Sequence, residues 1–400
     1  MKVAGIIAEF NPFHKGHTLP IIKARRAVDE DGYVVSIMSG NCVQRGDIAV
    51  FRKKARAEAA ILCGADLVIE LPAPYVLGSA EKFARGGIAL LASLGASDLY
   101  LAFGSETADG TALAEIAKGL DMPETQGEIS AGMTEGLSYG IACQRALEAA
   151  GAQAGLLQTP NNLLAIEYLR AIHRLGADIK PLPVKRQGVD HDSETPHEGY
   201  ASASHLRTLL HVDKAEQAWD YMPEEAAKVF RQEFTQGCGL AGIGQLEQTI
   251  LTLLRLGREP VEGYLNDSEG LSRRIINNAR EAATLEELLK ETKTKRYHLS
   301  RIRRLILSMC LGLTPADRPE TPPYIRPIAV NQKGQTLLRQ IRTTAALPIL
   351  SRGGEVKKLG REAQRVFEIE SAVTDLQALC FREPIDRRGG SEWRTNHRFP

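Results

Sequence analysis

Glu9-Phe10-Asn11-Pro12-Phe13-His14-Lys15-Gly16-His17 follows directly on the apolar run at residues 3–8 and opens a stretch, 16–29, whose apolar residues recur at three- and four-residue spacing. An apolar run of that length bounded by a turn reads as a buried strand, and the spacing after it reads as a helix. Two histidines flanking a glycine at such a handover make a site for polyphosphate. Glycine permits close backbone approach, a helix N-terminus offers N–H groups and partial positive charge, and imidazolium groups can hold charge that develops on phosphates. The plain alternative for an isolated H-x-x-H is a capped helix start with solvated histidines.

The same alternation continues outward. Residues 33–38, 67–70, 99–103 and 179–184 read as further buried strands, and 50–64, 79–94, 132–150 and 160–175 as the helices between them. Strand and helix in this order predict an α/β domain, a Rossmann-like parallel sheet covered by helices on both faces, with ligands beyond the carboxyl ends of the strands. From about residue 212 strand patterns give way to helical ones at 224–234, 245–256, 271–282, 284–291 and 299–311, which predicts a domain of residues 1–212 followed by a mainly helical domain of residues 213–400. Pro315, Pro319, Pro322, Pro323 and Pro327 interrupt the helical run. The last fourteen residues, with Arg387, Arg388, Arg394 and Arg398 against Glu392, read as a mobile basic tail.

Composition bounds the function classes. The 400 residues are 43% hydrophobic and 25% charged, which excludes wholesale disorder and a membrane-embedded body. No apolar run approaches the ~18 residues of a membrane span, and no signal peptide opens the chain. The six cysteines are scattered without a C-x-x-C pair, as expected of reduced thiols in the cytoplasm and not of a zinc ribbon. A metal site at His191, His197, His205 and His211 lacks supporting cysteines or carboxylates, so no metal ligands are assigned. Net charge is +1, so any nucleic-acid contact depends on local clustering. That clustering occurs between Lys290 and Arg304, where Lys290, Lys293, Lys295, Arg296, Arg301, Arg303 and Arg304 face the single acid Glu291. Tyr297 and His298 lie among them, and the stripe reads either as an RNA-phosphate surface with Tyr297 free to stack on a base or as a solvated helix face.

A second motif, Tyr200-Ala201-Ser202-Ala203-Ser204-His205-Leu206-Arg207, places hydroxyls at a helix start with an arginine beyond them. Ser204 is expected to cap that helix toward a phosphate and Arg207 to add a bidentate partner. Together the two motifs resemble the HxGH and ISxTxIR signatures of the HIGH-motif nucleotidyltransferases, with Ala201 and Leu206 in place of the isoleucines and Ser204 in place of threonine. Residues 5–17, Asn41-Cys42-Val43-Gln44-Arg45-Gly46-Asp47, residues 66–72, Phe103-Gly104-Ser105-Glu106, residues 160–168, Tyr324-Ile325-Arg326 and Ala346-Leu347-Pro348-Ile349 resemble the bacterial tRNA(Met) cytidine acetate ligases more closely.

That resemblance implies a cytoplasmic, ATP-dependent enzyme that activates acetate as acetyl-adenylate and transfers the acetyl group to the wobble cytidine of elongator tRNA(Met), with Mg2+ accompanying ATP. It implies His14 and His17 as catalytic residues, and an ATP site on Ile7, Ala8, Glu9, Phe10, Asn11, Pro12, Phe13, His14, Lys15, Gly16, His17, Thr18, Leu19 and Pro20. Gly104, Asn161 or Asn162, Arg186, Ser204 and Arg207 complete that site. Arg45 can hold the acetate carboxylate or a tRNA phosphate, or simply pair with Asp47. Two other readings stay open at this point, an adenylyltransferase acting on a small phosphorylated metabolite and an ATP-gated RNA-binding protein.

Overall fold

The computed structural model describes residues 1–186, 199–212, 214–257, 260, 263–268 and 270–394. Its strands are β1 (Lys2–Ala8), β2 (Tyr33–Ser39), β3 (Cys42–Val43), β4 (Asp47–Ile48), β5 (Leu67–Leu71), β6 (Asp98–Ser105), β7 (Ile179–Lys185) and β8 (Pro327–Val330). Six of them form one sheet in the order β7-β6-β1-β2-β5-β8, while β3 and β4 form a small hairpin after β2. β1 pairs in parallel with β2 on one side and with β6 on the other, so the chain reverses its direction of growth at β1. Every residue of β2 is buried, as expected of a central parallel strand covered on both faces. Crossover helices Lys15–Val28, Lys53–Leu62, Ala80–Ala92 and Pro160–Arg174 link the strands.

Each strand read from the first half of the sequence is present, and the second half supplies one more. β8 pairs antiparallel with β5, and its proline stands at the first position of this edge strand, where its missing N–H disturbs no central ladder. The proline-rich stretch thus leads back to the sheet, and helices Gln332–Thr344 and Arg361–Ala378 follow. Apolar side chains of both halves share one core, in which Ile7, Val35 and Ile69 belong with Ile302, Leu305 and Ile369.

Two expectations are corrected. The single helix expected over 132–150 is two, Pro123–Thr134 and Tyr139–Ala149, because Gly136 between them has φ +93°, a left-handed conformation that ends the first. The basic tail is not a free segment as far as residue 394. Glu392 is buried and the ring of Trp393 stands edge-on to Phe367 at 4.7 Å, whereas Arg398 lies outside the described residues. No helix among the described residues is long and apolar enough to cross a membrane.

Candidate active site

The turn between β1 and the first helix is built around its aromatic residues. Phe10, at φ +47°, and Phe13 bury their rings 4.8 Å apart, and the Asn11–Pro12 peptide between them is cis. The Asn11 side-chain oxygen accepts the Val50 N–H at 2.8 Å, fixing the turn to the chain after β4. His14 is the N-cap of the helix. Its Nδ1 accepts the Gly16 N–H at 3.0 Å, while its own N–H donates to His17 Nδ1 at 3.1 Å. With both Nδ1 atoms accepting, each neutral ring carries its proton on Nε2, and the two rings lie 3.8 Å apart as a pair of donors.

This corrects the expected source of phosphate contacts. The first N–H groups of the helix are already used, Lys15 N–H by the Tyr221 carbonyl at 2.9 Å, Gly16 N–H by His14, and His17 N–H by the His14 carbonyl at 2.8 Å. The ammonium of Lys15 donates to the Asp220 carbonyl at 2.7 Å, and the Thr18 hydroxyl to the Lys15 carbonyl. The first backbone N–H groups of this turn are therefore committed within the protein. Gly16 is required for a different reason than ligand approach, since a Cβ there would stand 2.8 Å from His14 Cε1.

The second motif meets the first. Arg207, on the helix Ala203–His211, donates from Nη1 to the Asn11 carbonyl at 2.8 Å. The cap of that helix is Ser202, whose hydroxyl oxygen accepts the His205 N–H at 3.0 Å; Ser204, expected to cap it, sits inside the helix and accepts the Thr208 hydroxyl on its carbonyl. The expected signature is therefore present, displaced by two residues in its capping role.

At the other flank of β1, the ends of β6 and β7 separate the two adjacent asparagines. Asn162 is buried, and its side-chain oxygen accepts from the Ser105 hydroxyl and the Glu106 N–H, each at 2.9 Å, which closes the end of β6. Asn161 is half-buried and accepts Arg186 Nη1 on its side-chain oxygen at 3.3 Å. Burial pushes the Glu106 carboxyl up, but the amides of Asn161 and Asn162 that donate to it hold it below the ordinary carboxylate range. A Cβ on Gly104 would stand in ordinary contact with Arg186, so the glycine and the guanidinium are neighbours.

Sequence reading missed two buried assemblies beneath the site. Arg56 donates to the carbonyls of Glu9 at 2.5 Å, Phe51 at 3.1 Å, Ser39 at 3.2 Å and Gly40, tying the carboxyl ends of β1 and β2 together; burial pushes its guanidinium down to about 10. Beside it, Lys53 pairs with Glu70 at 2.5 Å and Glu392 at 2.8 Å, and Arg326 pairs with the same two carboxylates. The Thr374 hydroxyl donates to Glu392 at 2.7 Å, and the Asn41 amide donates to Thr374 at 2.9 Å. Glu370, also buried here, is pushed well above the usual carboxylate value by burial and by the neighbouring Glu70 carboxylate. These residues look like surface charges in sequence, and only their positions next to β2 and β5 bury them.

The basic stripe divides. Lys290, Lys293, Lys295 and His298 are exposed. Arg304 donates to the Gln44 carbonyl at 3.0 Å, burial pushes it down to about 10, and Gly46, at φ +76°, packs so close to Arg303 and Arg304 that no Cβ fits. The stripe thus braces the β3–β4 loop. Tyr297 is buried beneath the Arg301 guanidinium, 5.1 Å from its ring centroid, and is not free to stack on a base. Asp47 accepts the N–H groups of Ile48 and Ile243 at 2.8 and 2.7 Å, which holds the loop in place. Among the described residues no group of three or more His, Cys, Asp or Glu is placed to hold a metal ion; His191 and His197 lie outside them.

A model of the HIGH Nucleotidyl Transferase family matches residues 1–392. The tRNA(Met) cytidine acetate ligase of Acetivibrio thermocellus is 34% identical over 413 residues, covering 99% of each chain, and that of Caldanaerobacter subterraneus subsp. tengcongensis is 35% identical over 389 residues, covering 96% of each. The crystal structure of apo Thermotoga maritima TmcAL superposes with a TM-score of 0.92 at 27% identity over 99% of each chain. The form of that protein bound with alpha-thio ATP gives 0.90 at 28% identity, over 100% of this chain and 99% of that one.

Proposed function

Because the chain belongs to the HIGH nucleotidyl transferase family, and within it to the tRNA(Met) cytidine acetate ligases, we propose that it activates acetate with ATP as acetyl-adenylate and passes the acetyl group to the wobble cytidine of elongator tRNA(Met) in the cytoplasm. The observation that carries this reading is the meeting of both phosphate motifs at one carbonyl, where Arg207 reaches Asn11, three residues before His14. ATP lies across the carboxyl ends of β1, β6 and β7, with Gly104, Asn161 and Arg186 at its nucleoside end and His14 and His17 at its phosphates. Asn161 is the contacting asparagine, because the side-chain oxygen of Asn162 is already committed to the end of β6.

Acetate oxygen attacks the α-phosphorus, pyrophosphate leaves, and the Nε2–H donors of His14 and His17 stabilise the charge that develops. The histidines act as hydrogen-bond donors and form no covalent intermediate. Mg2+ enters with ATP as part of the substrate. Holding the mixed anhydride and the cytidine in one crevice supplies the proximity that solution lacks. Residues 1–212 carry this chemistry, and residues 213–400 supply much of the tRNA grip through the exposed lysines of the stripe, while lending β8 to the sheet.

The test follows the fate of each label. With labelled acetate, ATP and tRNA(Met) bearing a wobble cytidine, label is expected to enter tRNA in step with AMP release. A tRNA with uridine at that base, which lacks the amine, is expected to lose incorporation while acetate-dependent pyrophosphate exchange persists. An α-phosphate label retained in a stable conjugate would establish a metabolic adenylyltransferase instead, because a phosphoanhydride has no acyl carbon for an amine to attack.

A further inference from the structure

A carboxylate directly before a phosphate-binding turn is electrostatically out of place, since it repels the polyphosphate the turn is suited to hold. Glu9 is such a group. It follows the last residue of β1, and its Oε1 accepts the Gln44 N–H at 2.5 Å, which draws the side chain toward the loop after β2 and away from the β6–β7 flank. Its backbone carbonyl is held by Arg56 at 2.5 Å. Oε1 is thus anchored, while Oε2 has no hydrogen-bond partner among the described residues.

The topology divides that crevice in two. Asn161, Arg186 and Gly104 stand on the β6–β7 side of β1, while Glu9 and the Gln44–Asp47 loop stand on the β2 side, with the switch in strand order between them. A nucleotide occupying the first half leaves the second for the acceptor. The loop that lines this second half is braced from behind by Arg304 at the Gln44 carbonyl, and by Asp47 at the Ile243 N–H. An anion whose second oxygen accepts no hydrogen bond is unsuited to triphosphate and suited to an N–H donor.

We infer that Glu9 accepts the proton of the cytidine amine as it attacks acetyl-adenylate, and that the Gln44–Asp47 loop forms the acceptor half of the crevice; this rests on the acetate-ligase reading above. The lone pair of that amine is delocalised into the pyrimidine ring, so the nitrogen is a poor nucleophile whose protons become acidic only as its bond to carbon forms. The amine nitrogen bonds to the acetyl carbon, the bond from that carbon to the phosphate oxygen breaks with its electron pair leaving on AMP, and the released proton passes to Glu9 Oε2 and then to water. The inference moves Glu9 from nucleotide contact to acceptor chemistry. The groups facing the carboxyl suit this role. Burial raises its proton affinity, the Gln44 N–H with Arg56, Arg207 and Arg45 lowers it, and burial prevails, while the Cys42 thiol and Tyr168 hydroxyl also lie within reach of its charge.

The test separates the two half-reactions with Glu9→Gln, which keeps an oxygen for the Gln44 N–H and cannot take up a proton. Wild-type enzyme is first assayed for acetate-dependent pyrophosphate exchange; absence there removes the acetate-ligase reading itself, independently of Glu9. In the variant, exchange is expected to persist, and hydroxylamine, a strong nucleophile, is expected to trap acetohydroxamate at the wild-type rate. Single-turnover transfer to a tRNA(Met) transcript is expected to fall by about 10²- to 10⁴-fold, the scale of general-base assistance. The rise of the wild-type transfer rate with pH is expected to disappear in the variant, and Glu9→Asp to recover part of the rate. Transfer in Glu9→Gln close to wild type would overturn the inference. So would equal loss of exchange, hydroxamate formation and transfer in a folded variant, since this would make Glu9 part of activation or only a prop for the loop.

Discussion

Arg207 and Asn11, 196 residues apart in sequence, are joined by a 2.8 Å hydrogen bond from guanidinium to carbonyl, and this bond sets the position of the histidine pair against the helix Ala203–His211. Replacing Arg207 with lysine keeps the charge and loses the planar fork, so it is not a conservative change. Arg207→Lys is expected to lower acetate-dependent pyrophosphate exchange by roughly 10- to 100-fold, the range of a lost charge-assisted hydrogen bond of about 1.5–3 kcal/mol. An exchange rate equal to wild type would show that the bond does not set the site.

His14→Ala and His17→Ala are each expected to lower the same exchange by about 10²-fold or more, the cost of losing one preorganised donor. Gly16→Ala is expected to act through His14, because the added methyl would stand 2.8 Å from its ring and displace it. Its exchange rate should therefore fall with little further loss when combined with His14→Ala, which a double-mutant cycle measures.

Neutralising Lys290, Lys293 and Lys295, which are exposed, is expected to weaken tRNA binding and reduce its dependence on salt by up to roughly one counterion per lost contact. ATP binding should be unaffected. Arg304→Ala is expected to behave differently, lowering the melting temperature by releasing the Gln44 carbonyl and the β3–β4 loop. Filter binding across a salt series, with thermal melts beside it, distinguishes the two effects.

The buried charge cluster predicts opposite pH dependences for two of its acids. Glu392 is pushed up by burial but held well below its ordinary value by Lys53 and Arg326, so its contribution to stability is present above 4.5 and is lost as pH falls toward its depressed folded value. Glu370 is raised, so the folded state holds a proton that the unfolded state releases above 4.5, and its contribution declines as pH rises from there. Glu370→Gln, which resembles the protonated acid, is expected to remove that decline and to match or exceed wild-type stability near neutral pH. Glu392→Gln is expected to destabilise by about 3–5 kcal/mol, as when one partner of a buried pair is removed. Denaturant melts from about pH 2 to 8, spanning both sides of the ordinary carboxylate value of about 4.3, would record both.

The parallel strands were legible because residues buried on both faces read as continuous apolar runs, as in β2, and the H-x-G-H was legible because it stands at the end of one of them. β8 was hidden, since four residues beginning with proline carry no strand pattern of their own and are defined by the free edge of β5. Ser204 was the expected cap, but the helix starts at Ala203, which makes Ser202 the cap. Tyr297 reads from sequence as a platform for a base, because its cationic neighbours suggest a surface, and only the fold buries it beneath Arg301. Arg56 and Lys53 have no signature at all, and Arg326, although it lies in a recognisable motif, carries no local sign of burial. What makes them buried is the convergence of segments distant in sequence, which no local pattern records.

Glu392 meets Lys53 and Arg326 only after nearly the whole chain has been made, because translation delivers the two cations and Glu70 to the growing sheet well before their last partner. Without Glu392 the two cations would lose one of their two carboxylate partners, and Asn41 the Thr374–Glu392 link. A chain ending short of residue 392 is therefore expected to melt at a lower temperature than the full chain, which thermal melts of the two would show. The helix Ser391–Arg394 in this way closes, from the far end of the chain, a charge cluster that begins at β2 and β5, so the last turn made is the one that completes the ion pairs of the first sheet.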